Sequence, residues 1–197
     1  MTLFLLGLVL FLGVHSVRFV AEDWRNATRA RLGPNAWKGV YSLISLAGFV
    51  MLVMGYGEVR LSTVDLWSVP RGLRHLASLL TLFAFILLAA AYLPRSAIKA
   101  RLRHPMTLAV KLWAFSHLLV NARAADLALF GGFLLWSVLV FRAARARDRA
   151  ASADGSAAAP AATSRVQDVA AVLIGTGAWA GFAFWGHAAL IGIRPFS

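Results

Sequence analysis

This chain contains no cysteine. That absence excludes disulfides, thiolate metal ligands, Fe–S clusters, covalent c-type haem attachment and a catalytic thiol, and it leaves the redox compartment unread. Acidic residues are scarce as well, eight Asp and Glu against twenty Lys and Arg. Glu22, Asp23, Glu58, Asp65, Asp126, Asp148, Asp154 and Asp168 all fall between apolar runs or at their ends. No carboxylate lies in the core of a run, where proton pumps, cation-coupled carriers and two-carboxylate hydrolases usually keep one. A Gly-rich phosphate loop, H-E-x-x-H and G-x-S-x-G are missing too, and no internal repeat suggests an inverted-repeat transporter.

What is present is apolar. Hydrophobic residues make up 60% of the 197 positions and charged residues 14%, with a mean hydropathy of +0.72. A soluble domain carries about a quarter charged residues, so this surplus of apolar surface needs lipid as its solvent. The net charge of +12 would suit a nucleic-acid partner if the basic residues shared one solvated face. They are instead dealt out between apolar runs, so the bilayer is the expected partner and nucleic acid is not.

Apolar runs cover Thr2–Val20, Lys38–Gly57, Arg74–Leu93, Met106–Val120, Leu127–Phe141 and Val169–Ile193. A span takes about 20 residues. The expected fold is therefore an all-α, polytopic membrane bundle of six transmembrane helices forming a single domain over 1–197. The fourth and fifth runs are short, which leaves five spans or a re-entrant pair over 106–141 as the alternative. The N-terminal run lacks a basic leader and an A-x-A site, and reads as a retained first span. With six alternating spans, Arg18 through Lys38, Arg95 through Arg103 and Arg142 through Arg165 share one side. The positive-inside rule makes that side cytoplasmic and puts both termini outside. Trp24, Trp37 and Trp67 fall at span ends, as an aromatic belt requires. Residues 150–164, rich in Ala and Ser with one proline, read as a disordered cytoplasmic linker. Gly177 and Gly181 suggest a close helix contact in the last span.

Five histidines carry the remaining chemistry. His75 and His104 sit at span edges and read as interfacial. His187 lies near the outer end of the last span and either lines a cavity or meets interfacial water. His15 and His117 are deeper: at 1.5 Å per residue they lie about 20 Å and about 17 Å into antiparallel spans, close to mid-bilayer. An imidazole there needs a hydrogen-bond partner or a metal. Two on separate helices at one depth suit bis-axial ligation of haem b. Trp113 and Asn121 lie one turn to either side of His117, placing a W-x-x-x-H-x-x-x-N set on one face. Trp113 is positioned to pack on a macrocycle and Asn121 to orient polar groups. Arg18, one turn from His15, either pairs a haem propionate or snorkels to headgroups.

The segments GVHSVRF, WKGVYSLISLAG, IKARLRHPMTLAVKLWAFSHLLVNA, DLALFGGFLLWSVL and FWGHAALIGI, in this order, resemble the NnrU family of bacterial membrane proteins. The resemblance covers nearly the whole chain outside 150–164. It implies an inner-membrane protein linked to denitrification, around nitrite and nitric oxide reductases, which would be partners. The domain is also similar to the 15-cis-ζ-carotene isomerase, a membrane enzyme with a redox-controlled haem b acting on a small apolar substrate. Its ligand-histidine motifs align with Val14-His15-Ser16 and Ser116-His117-Leu118. Its alternative cysteine ligand corresponds to Ala114, so redox ligand exchange does not carry over. Arg103-His104-Pro105 is similar to the tripeptide with which isoprenylcysteine-type methyltransferases hold S-adenosylmethionine, although the following aromatic and the later glutamate are missing. Three functions stay open: a haem-binding redox or isomerase-like protein, a non-catalytic assembly factor, and a methyltransferase.

Overall fold

The structure is a computed structural model that describes residues 1–62, 64–156 and 162–196. It is all-α and polytopic. Among the described residues the extended pairing is limited to an isolated bridge between Asp65 and Arg123. The helices are α1 (Thr2–Val20), α2 (Glu22–Leu32), α3 (Pro34–Ser62), α4 (Arg71–Tyr92), α5 (Ala97–Leu102), α6 (Pro105–Val120), α7 (Ala124–Ala153), α8 (Arg165–Gly181) and α9 (His187–Ile191), with a π-helical turn at Phe182–Gly186 before α9.

Five helical stretches are long and apolar enough to cross a membrane: α1, α3, α4, α7 and the stretch Arg165–Ile191. Large apolar side chains such as Val9, Leu43, Leu46, Leu173 and Leu190 are exposed on these stretches, a pattern that fits contact with a lipid bilayer. The fourth apolar run forms α6, a helix of 16 residues, about 24 Å long against a hydrocarbon core of about 30 Å. The fifth run is not short: α7 has 30 residues, because the Ala/Arg-rich stretch after Phe141 continues the helix. Residues 150–153 of the expected linker form its last turn, and residues 157–161 lie outside the described set.

The loop after α1 is also helical. The sequence of α2 is charged and has no apolar stripe, which hid it, but Glu22 and Asp23 occupy its first turn and Arg29 and Arg31 its last. That order complements the helix dipole, and Gly33, at φ 78°, ends the helix before Pro34.

The chain divides into two compact units. One comprises Met1–Trp67 and Ala122–Trp136, and its centre is the pairing of α1 with α3. Glycines make this contact close: Gly7 of α1 lies against the backbone of Met51 and Leu52, and Gly48 and Gly55 of α3 lie against the backbone of Phe11 and Phe4. Phe4 is fully buried there. At the end of this unit where α7 begins, Asp126 is 4% exposed. Its carboxylate accepts hydrogen bonds from the Tyr56 hydroxyl and, at 3.2 Å, from the backbone N–H of Arg123. Arg123 in turn donates to Asp65 at 3.0 Å and to the Arg60 carbonyl at 2.7 Å.

The other unit comprises Ser68–Asn121 and Ser137–Ser197, with α4 packed on both α6 and α8. The close contact with α8 is made by Gly175, which lies against the backbone of Ile86. Gly177 and Gly181, expected at such a contact, have open space around them. Trp179 donates to Thr81 at 3.1 Å across the same pair. The start of α8 is fixed to the segment before α5: Gln167 accepts from the Arg95 N–H at 2.7 Å, and Asp168 accepts from the Ser96 hydroxyl at 2.7 Å. Ser96 also caps α5 through the Lys99 N–H.

Candidate functional site

His15 occupies the last third of α1. Its Nδ1 donates to the Phe11 carbonyl one turn back, at 2.7 Å. That bond uses a carbonyl already engaged in the helix, and it fixes the tautomer in which Nε2 carries the lone pair. A ligand imidazole is commonly oriented in this way, with its second nitrogen bound to a carbonyl. Three rings surround it: Phe11 at 4.4 Å between centroids, Tyr41 edge-on at 5.4 Å and Trp136 edge-on at 6.2 Å. The indole Nε1 of Trp136 is buried and has no hydrogen-bond partner among the described residues. An orphaned buried donor costs about 1–3 kcal/mol, so it marks a place where an acceptor belongs.

A cleft of about 260 Å³ opens beside His15, lined by Val14, His15, Val17 and Arg18 of α1, Arg25 of α2, and Trp37, Lys38, Tyr41 and Ser42 of α3. Its lining contains three cations and no carboxylate. Arg25 lies 6.0 Å over the Trp37 ring and bonds Asn26 at 3.0 Å. Among the described residues, Arg18 and Lys38 form no ion pair.

His117, in the other unit, repeats the local chemistry of His15. Its Nδ1 donates to the Trp113 carbonyl at 2.8 Å, again leaving the lone pair on Nε2. The same carbonyl accepts from the fully buried Ser116 hydroxyl at 2.8 Å. Trp113 lies 5.2 Å from the His117 ring, and the Asn121 side chain donates to the His117 carbonyl at 2.9 Å. The W-x-x-x-H-x-x-x-N spacing is thus a ladder of one-turn contacts, with Asn121 closing the end of α6. Ala114, at the position of the isomerase cysteine, is fully buried.

The other histidines have different work. His104 precedes α6 and bonds Asp148 through Nε2 at 3.0 Å, with Arg103 3.5 Å from the same carboxylate. Arg103 and His104, the S-adenosylmethionine-like pair, are thereby engaged in holding α7. Lys111 places its ammonium 4.3 Å over the Phe141 ring, which explains how α6 carries a lysine inside an apolar run. His187 donates from Nδ1 to the Ile193 carbonyl at 2.7 Å and secures the end of α9. His75 is exposed on α4. Among the described residues no three of His, Asp or Glu converge as a metal site would need.

Sequence reasoning missed Tyr41 and Trp136. Both lie in segments that the family resemblance had drawn attention to, but no spacing on one helix brings them to His15, because each belongs to a different helix.

A family model described as NnrU protein matches residues 3–195, nearly the whole chain. No curated protein matches, and no solved structure does.

Proposed function

The chain belongs to the NnrU family, and from that premise we propose that it is an inner-membrane protein that binds haem b through His15 and His117 in support of denitrification. The observation that carries the reading is the shared Nδ1–H bond to the carbonyl one turn back, which gives both imidazoles an Nε2 lone pair suited to iron. Around His15 the aromatic rings of Phe11, Tyr41 and Trp136 offer faces and edges for a macrocycle, and the orphaned Trp136 N–H offers a donor to an acceptor group on it. Haem b, when bound, supplies a reversible one-electron centre. The chain's own residues orient the two imidazoles, hold their tautomer and exclude water with aromatic surface. With α6 as a sixth crossing beside the five long stretches, the positive-inside rule applied to the basic runs assigns Arg18 and the α2 helix to the cytoplasmic side and both termini to the outside.

The test is the visible spectrum of detergent-purified protein expressed with ample haem. Wild type is expected to show a Soret band that His15→Ala and His117→Ala each abolish. Loss with one substitution alone reduces the reading to a single-histidine haem. A colourless wild type overturns it in favour of an assembly factor whose histidines serve packing.

A further inference from the structure

We propose that the cleft between α1, α2 and α3 is a binding site for the phosphate headgroup of an anionic phospholipid. The group recognised is an oxyanion. Arg18, Arg25 and Lys38 converge on one cavity of about 260 Å³ to which no acidic side chain contributes. Two hydroxyls, on Tyr41 and Ser42, line the same space and add neutral donors. Arg18 and Lys38 are exposed, as Arg29 and Arg31 on α2 are, but the latter two lie outside the cleft. Here the charges are gathered: Arg25 is held over Trp37, and Trp24 packs edge-on to Trp37 at 6.1 Å. Paired indoles belong at headgroup level. Guanidinium groups bind phosphate through paired N–H donors. With three cations and no carboxylate in its lining, the cleft repels the choline of a zwitterionic headgroup while attracting the phosphate, so it selects a lipid of net negative charge.

The proposal is independent of haem, although a haem carboxylate is the alternative oxyanion. Delipidated protein from haem-depleted cells is titrated with phosphatidylglycerol, phosphatidylcholine and inorganic phosphate, and bound molecules are counted by native mass spectrometry. Phosphatidylglycerol is expected to be retained about tenfold or more over phosphatidylcholine, and Arg18→Gln/Lys38→Gln is expected to erase that preference. Arg29→Gln/Arg31→Gln removes the same charge outside the cleft and is expected to keep it. Equal loss in both double variants overturns the site in favour of a general charge effect. Inorganic phosphate binding as well as the lipid overturns the lipid assignment. Phosphatidylglycerol binding that is absent without haem, or unchanged in Arg18→Gln/Lys38→Gln, overturns the headgroup reading. A normal helical circular dichroism spectrum for both variants separates loss of the site from loss of the fold.

Discussion

Gly55→Ala is expected to destabilise the protein by about 3 kcal/mol, whereas Gly57→Ala stabilises it slightly or leaves it unchanged, by less than about 1 kcal/mol. Both glycines are interior to α3, so helix propensity favours alanine equally at the two positions. Their surroundings differ. A Cβ on Gly55 would fall 2.6 Å from the Phe4 Cα, while one on Gly57 would meet nothing within 4 Å. What stands in the way is the backbone of α1, which cannot rotate aside as a side chain can. The two helices must therefore separate, losing dispersion contacts along their length. Gly7, against Met51 and Leu52 from the opposite direction, predicts the same outcome for Gly7→Ala. Denaturant or thermal unfolding in one detergent measures all three. If Gly55→Ala and Gly57→Ala shift the midpoint alike, the close approach of α1 and α3 is wrong. The consequence reaches the site, because Tyr41 on α3 lies against His15 on α1 only while the pair stays closed.

Asp126→Ala is expected to cost about 3 kcal/mol, since it strips the acceptor from two donors in a buried setting, the Tyr56 hydroxyl and the Arg123 N–H. Tyr56→Phe removes one of those bonds and keeps the other, so about half that loss is expected. The double substitution should cost less than the sum, because once the carboxylate is gone the hydroxyl has no bond there left to lose. The same unfolding assay checks the cycle. A cost for Asp126→Ala within about 0.5 kcal/mol, the range of an ordinary surface change, would show that the carboxylate is not holding α3 to the start of α7.

These two sites show what the sequence made legible and what it did not. Run length and hydropathy located each apolar helix, since burial in lipid is a property of a segment by itself. The one-turn carbonyl bonds of His15 and His117 are local as well. Contacts between helices are different in kind. Gly55 and Gly57 are indistinguishable as letters, and Gly177 and Gly181 looked better placed than Gly175, which makes the contact. A small residue permits approach; only the partner's position decides whether it is used. Asp126 reads as an acid at the end of an apolar run, and so it is, but the hydroxyl that bonds it belongs to Tyr56, seventy positions away in the chain. Helix α2 was missed for another reason: its signal is charge order at its ends, and it has no apolar stripe to find.

The π-helical turn at Phe182–Gly186 has a bearing on how the last apolar stretch is compared with other members of its family. Such a turn accommodates one residue more than an α-helical turn does, so it acts as an insertion absorbed without a loop. Every side chain beyond it is rotated by about 100° from the direction that a regular helix would give it. A helical wheel drawn straight through 165–191 therefore misassigns the face of His187 and of everything after it. A relative lacking that single residue and running as a regular α-helix would aim the same last-turn letters in the same direction, so the two sequences superpose only with a one-residue gap.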